Sequence, residues 1–227
     1  MDPESLKRTA GEAAAALVED GMVVGLGTGS TVRYTILALG RRVADGLQIL
    51  GVPTSDATDR LAREVGIPLT DLDDHPEVDL TVDGADEFDP QLRLIKGGGG
   101  ALTREKIVWR ASRRAVAVAD ASKQVDRLGS TFPLPIEVIS LGKTPILRHL
   151  ESLGASAWLR EDATGALYLT DNGHPVIDAE WDAIEDPEAL EADLSSYPGV
   201  VCTGLFLGLC DAVYVAGADG LHVVRRP

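Results

Sequence analysis

DGADEFDPQLRLIKGGGGALTREK, residues 83–106, places acidic residues, a lysine, four consecutive glycines and a glutamate in one short span. Just ahead of it the apolar run 78–82 reads as a short buried strand. That run breaks at Asp83-Gly84-Ala85-Asp86, a turn carrying two carboxylates. A second apolar run, 92–95, delivers Lys96 into Gly97, Gly98, Gly99 and Gly100, and 101–112 then reads as a helix with Glu105 in its first turns. Glycine gives up more backbone freedom on folding than any other residue, so a run of four is unfavourable inside an element. It offers instead close backbone approach and a row of unobstructed N–H donors, the ingredients of an anion-binding nest. Taken singly, each feature has a plain structural reading: Asp closes turns, and glycine runs make flexible loops. Taken together they supply the parts for proton transfer beside a developing negative charge.

Working outward toward the N-terminus, 5–19 has helical spacing and Asp20-Gly21 ends it. A short strand at 22–25 opens into Gly25-Leu26-Gly27-Thr28-Gly29-Ser30-Thr31, and 32–39 is helical again. Strand, glycine loop and helix N-terminus form a phosphate-holding arrangement, because free N–H groups converge and the helix dipole favours an anion. The glycines fall at G-x-G-x-G rather than the dinucleotide spacing, and no Gly-Lys-Ser/Thr follows. A simple phosphate ester suits the loop better than a nucleotide; capping of the helix by Ser or Thr is the structural alternative.

A strand at 47–52 ends in Pro53-Thr54-Ser55-Asp56, and one at 115–119 ends in Asp120-Ala121-Ser122-Lys123. Alternating strands and helices give an α/β fold with a Rossmann-like parallel sheet. In such sheets ligands bind beyond the carboxyl ends of the strands. The clusters at 28–31, 55–56 and 83–86, with Lys96 and Lys123, all lie at such ends, which argues for one shared site.

Beyond Pro133 the rhythm changes. Strands are expected at 136–139, 156–160, 166–170, 175–178 and 200–207, with helices at 144–153 and 187–194 and a hairpin turn at Asp171-Asn172-Gly173. Allowing one extra extended piece, this is a second, smaller α+β domain of the ferredoxin-like, split β-α-β type. The expected division is 1–129 plus 207–227 for the catalytic domain and 130–206 for the smaller one. The latter shows no comparable polar cluster, so packing or oligomer contact is its expected role.

With 21 basic against 36 acidic residues the net charge is −15, which disfavours non-specific binding to nucleic acid or anionic membrane. Only five of the basic residues are lysine, and the abundance of Asp, Glu, Ala and Val resembles salt-adapted proteins. The run 200–218 is nearly all apolar, but its glycines, Asp211 and strand formers read as buried strands rather than a spanning helix. Cys202 and Cys210 are expected as small buried hydrophobes, and the four histidines fall at no metal-ligand spacing. With no basic segment leading into an apolar core at the N-terminus, a cytoplasmic protein is expected.

The motifs in series resemble the type A ribose-5-phosphate isomerases along nearly the whole chain. They are G-T-G-S-T at 27–31, S-D-A at 55–57, D-G-A-D-E at 83–87, K-G-G-G at 96–99, L-T-R-E-K at 102–106, A-D-A-S-K at 119–123, P-L-P-I-E-V at 133–138 and T-D-N-G at 170–173. Gly100 departs from the family's more frequent alanine and is expected to loosen the loop slightly. The resemblance implies interconversion of D-ribose 5-phosphate and D-ribulose 5-phosphate through an enediol, without cofactor or metal. It makes Glu105 the base that moves the proton between C2 and C1. Asp83, Asp86 and Lys96 handle ring opening and proton traffic, with Gly84 and Ala85 lining the substrate. Lys96 and the amides of Gly97, Gly98 and Gly99 stabilise the enediolate. Thr28, Gly29, Ser30, Thr31 and Lys123 hold the substrate, with Lys7 a lesser contributor. It also implies a homodimer or homotetramer. The competing classes are a sugar-phosphate sensor, which would need a DNA-binding segment that the acidic chain lacks, and another sugar-phosphate isomerase, deaminase or lactonase on a similar scaffold.

Overall fold

The computed structural model describes residues 2–226. In chain order its elements begin with α1 (Pro3–Ala15), β1 (Val23–Leu26), α2 (Val32–Ala44), β2 (Leu50–Pro53), α3 (Asp56–Glu64) and β3 (Leu80–Gly84). There follow β4 (Glu87–Phe88), β5 (Leu94–Ile95), α4 (Leu102–Arg110), β6 (Ala115–Asp120), β7 (Leu134–Val138), α5 (Lys143–Ser152) and β8 (Ser156–Leu159). The last are β9 (Val176–Glu180), α6 (Pro187–Ser196), β10 (Val200–Thr203), β11 (Leu205–Phe206), β12 (Ala212–Gly217) and β13 (Gly220–Arg225). The chain divides into two compact units: one runs to Ala85 and adds Arg104–Gln124 and the segment from Gly208 onward; the other comprises Asp86–Thr103 and Val125–Leu207.

The first unit is built on a six-stranded sheet in the order β13-β12-β6-β3-β1-β2. All neighbours are parallel except the terminal β12–β13 hairpin. The strands of such a sheet are covered on both faces and read as continuous apolar runs, as AVAVAD of β6 and AVYVAG of β12 do. Ala10, Ala14 and Ala15 of α1 and Ile36 and Leu39 of α2 share one core with Val24, Leu26, Val116 and Val118. Gly11 permits the close approach of these two helices, since a Cβ there would lie 2.8 Å from that of Tyr34. Val52, Val78 and Val108 form a separate cluster. The strand order turns around at β1, with β2 on one side and β3 on the other. That reversal is the topological switch point, where the crevice beyond the strands' carboxyl ends opens.

The second unit contains a four-stranded antiparallel sheet, β10-β7-β9-β8. With α5 and α6 its chain order is β-α-β-β-α-β, the ferredoxin-like arrangement expected from the sequence. Ile136, Ile146, Leu150, Ile177 and Leu194 are wholly buried in its core. A three-stranded sheet, β11-β5-β4, completes the unit.

Three features depart from the expected elements. Residues 166–170 form no strand; their β-pairing is limited to single bridges, Glu161 to Leu167 and Leu169 to Pro175. The run 200–207 is two strands in two sheets, interrupted at Gly204. There the backbone donates from Gly204 N to Pro135 O at 2.7 Å and accepts from Lys96 N at 2.9 Å, and a Cβ would lie 2.3 Å from Lys96 O. The span 86–103, expected with the first sheet, instead groups with the second unit, because β4 and β5 pair with β11. Of the cysteines, Cys210 is buried, which pushes its thiol pKa up to about 12, whereas Cys202 is only half-buried. Among the described residues no helix is long and apolar enough to cross a membrane.

Candidate active site

In the first unit the switch point brings the end of β1 against the end of β3, in the register Leu26 to Val82. Gly27 N donates to Val82 O at 3.0 Å, and Thr28 N donates to Asp83 Oδ1, also at 3.0 Å. Only glycine fits at position 27, since a Cβ would sit 2.2 Å from Asp83 Oδ1. Asp83 is fully buried. Its Oδ1 also accepts Gly84 N at 2.7 Å, and its Oδ2 accepts the indole N–H of Trp109 at 3.1 Å. This carboxylate therefore locks the glycine loop to the strand beside it.

Thr28 is committed to the same frame. Its hydroxyl donates to Ser55 Oγ at 2.8 Å and lies 2.8 Å from Thr54 Oγ1 and 3.2 Å from Thr58 Oγ1. Thr58 in turn donates to Gly27 O at 2.8 Å. Beyond Thr28 the chain turns through Gly29 at φ +131° and exposes Ser30. Thr31 occupies the N-cap of α2, but its side chain makes no capping hydrogen bond, and the first turn of α2 carries no acidic residue. The capping alternative thus does not account for the hydroxyl at 31. A cleft of about 640 Å³ opens here, lined by Thr28, Gly29, Ser30, Arg33, Thr58 and Arg60 among others. Two guanidinium groups face it against one carboxylate, Glu64, and the N-terminus of α2 adds a partial positive charge.

Glu105 is buried, with 3% of its surface exposed. It precedes Trp109 by one turn of α4, so the two side chains share a helix face. Trp109 is the residue that reaches Asp83; Glu105 thus lies on the stripe of α4 directed at the locked loop. Its neighbour Arg104 ties α4 to α3 through Asp56 at 2.7 Å. Lys123 ends the short 3₁₀ turn Ala121–Lys123 that follows β6, the strand beside β3. Asp120 shapes that turn by accepting Ser122 N at 2.9 Å. Lys7 is on α1 and pairs with Glu4 at 3.2 Å.

The remaining sequence-predicted residues belong to the second unit. Asp86 N donates to Ile95 O, joining the two ends of the β4–β5 hairpin, and Asp86 Oδ2 accepts Gly98 N at 2.8 Å. Lys96 is only 2% exposed, with its ammonium 5.3 Å from the centre of the Phe206 ring, a cation–π distance. Gly97 and Gly100 have φ of +103° and +77°, conformations that glycine alone adopts without strain. Gly100 does not loosen the loop: its missing Cβ would stand 2.1 Å from the Tyr168 hydroxyl, which donates to Gly99 O at 3.2 Å. The second unit therefore carries polar chemistry on 86–103, a span expected from the sequence to belong to the first domain.

Trp109, Arg160 and Tyr168 escaped the sequence reading. Trp109 could have been found from its i,i+4 relation to Glu105, whereas no local pattern points to the other two. Among the described residues no group of three or more His, Cys, Asp or Glu side chains is disposed to hold a metal ion.

A family model described as ribose 5-phosphate isomerase A (phosphoriboisomerase A) matches residues 50–220. The ribose-5-phosphate isomerase A of Roseiflexus castenholzii is 50% identical over all of this chain and 98% of its own length. That of Methylorubrum extorquens is 54% identical over 97% of this chain and 95% of its own. Among solved structures, a D-ribose-5-phosphate isomerase in complex with phospho-erythronic acid superposes with a TM-score of 0.97, at 41% identity and full coverage of both chains. The ribose 5-phosphate isomerase A of Methanocaldococcus jannaschii superposes with a TM-score of 0.94, at 40% identity, covering 99% of this chain and all of that one.

Proposed function

The chain belongs to the ribose 5-phosphate isomerase A family and is an aldose–ketose isomerase of D-ribose 5-phosphate and D-ribulose 5-phosphate; we propose that Glu105 carries the proton between C2 and C1. One observation supports this above the rest. Glu105 shares a helix face with Trp109, Trp109 holds Asp83, and Asp83 holds the loop at Thr28. Within a single unit the base is thereby linked to the loop that suits a phosphate.

The remaining roles follow from chemistry. A carboxylate can face two adjacent carbons without moving, as transfer through an enediol requires. Ser30, Thr31 and the backbone at Gly29 hold the phosphate, with Lys123 as counter-charge; Thr28 keeps the loop in shape. Asp86, with Gly84 and Ala85 beside it, contacts the sugar oxygens during ring opening, and Asp83, which has no exposed surface, holds the turn that carries them. Lys96 and the amides of Gly97 and Gly99 offset the charge of the enediolate, the usual task of an oxyanion hole, while the Gly98 amide is held by Asp86 Oδ2. No cofactor or metal enters the scheme, and no nucleic acid. The enzyme acts in the cytoplasm as a homodimer or homotetramer.

The experiment is turnover of ribose 5-phosphate measured beside an amino-sugar phosphate, with and without EDTA. Ribulose 5-phosphate should form at an undiminished rate in EDTA while the amino sugar is left intact. Activity lost to the chelator and restored by a divalent ion would contradict the proposed chemistry.

A further inference from the structure

The glycine loop has two sides, and one of them is held by residues far along the chain. Arg160 Nη1 donates to Gly97 O at 2.9 Å and to Gly98 O at 3.1 Å. The Tyr168 hydroxyl donates to Gly99 O. Three successive carbonyls are thus drawn to one face. A peptide group is planar and trans, so its N–H points opposite to its C=O. Holding Gly98 O therefore aims the Gly99 N–H the other way. The adjoining amides are spoken for inside the loop, Gly98 N by Asp86 Oδ2 and Gly100 N by Gly97 O.

Arg160 is itself rigid. Its Nε and Nη2 engage both oxygens of Asp178 at 2.8 and 2.5 Å, and both side chains are largely buried. The guanidinium lies 5.7 Å from the centre of the Tyr168 ring, and Tyr168 N donates to Arg160 O at 2.9 Å. Burial pushes the Tyr168 pKa up, which keeps its hydroxyl a donor. The planar fork of arginine can grip a carboxylate and still present an N–H to two carbonyls, which lysine cannot do.

We propose that Arg160, clamped by Asp178 and backed by Tyr168, is a positioning residue that aims the Gly99 amide at the enediolate. It acts through the loop and touches no reacting atom. This rests on the reading of the glycine amides as oxyanion donors. Its effect belongs in kcat and in affinity for an anionic analogue of the intermediate, not in substrate affinity.

The test uses phospho-erythronic acid, whose carboxylate offers charged oxygens where the enediolate would form. Wild type is compared with Tyr168→Phe and the paired Arg160→Gln/Asp178→Asn variant, which leaves no buried charge unmatched. The paired variant should lose on the order of tenfold to a hundredfold in kcat, below the loss of an entire oxyanion donor. Its analogue affinity should fall by a similar factor, with KM for ribose 5-phosphate within about twofold, as for a contact made only in the transition state. Tyr168→Phe should shift the same two quantities in the same direction by less, and it stands as the test if the paired variant does not fold. Undiminished analogue binding in both the paired variant and Tyr168→Phe, or a change in KM alone, overturns the role of Arg160. Wild type binding the analogue no tighter than substrate would instead overturn the oxyanion reading of the loop.

Discussion

Trp109 shows how a residue with no acid–base chemistry can govern one that has it. Its indole donates to a carboxylate with no exposed surface, which also accepts Thr28 N and Gly84 N. Trp109→Phe removes the N–H donated to Asp83 together with part of the ring's buried volume. A buried group deprived of a hydrogen bond costs about 1–3 kcal/mol, so the urea midpoint should fall accordingly. A midpoint equal to wild type would mean that the bond contributes nothing. The ionisable residues proposed for this site stand out in the sequence because most of them follow a strand or open a helix. Trp109 was not, since a buried aromatic on an apolar face reads as core. Arg160 was hidden by distance, 63 positions from the glycine whose carbonyl it holds.

At the scale of elements, alternating apolar runs and turn residues revealed most strands and helices, with boundaries displaced by a few residues. The split between β10 and β11 was invisible, because periodicity reports burial and not which sheet a strand joins. Gly204 makes the crossing possible by letting the backbone of Lys96 lie against it. Gly204→Ala should therefore cost at least the 1–3 kcal/mol typical of overpacking, or roughly that much by chemical denaturation. It should also lower kcat, because relief of the clash displaces the backbone of Lys96. A variant that melts and turns over like wild type would show that the approach is not tight. The reverse failure occurred at 166–170, where β-formers in sequence found only isolated bridges.

For the molecule as a whole, the α/β alternation disclosed the parallel sheet, and the later change of rhythm disclosed the β-α-β-β-α-β unit. The grouping of 86–103 with that second unit was not legible, because its two-residue strands sit midway between β3 and α4 in sequence. Net charge was legible at once, and −15 on this chain implies self-repulsion in the folded state. Salt at 1 M shortens the screening length to about 3 Å, so the thermal midpoint should rise between dilute buffer and molar salt. An unchanged midpoint would remove the resemblance to salt-adapted proteins as a physical property. The first unit's strand order, its glycine loop and the pitch of α4 all converge on one carboxylate, and kcat of Glu105→Gln is the decisive number. It should fall on the order of 10²–10⁴, the usual contribution of a positioned general base, with little change in KM. Turnover near the wild-type rate would take the proton transfer away from Glu105.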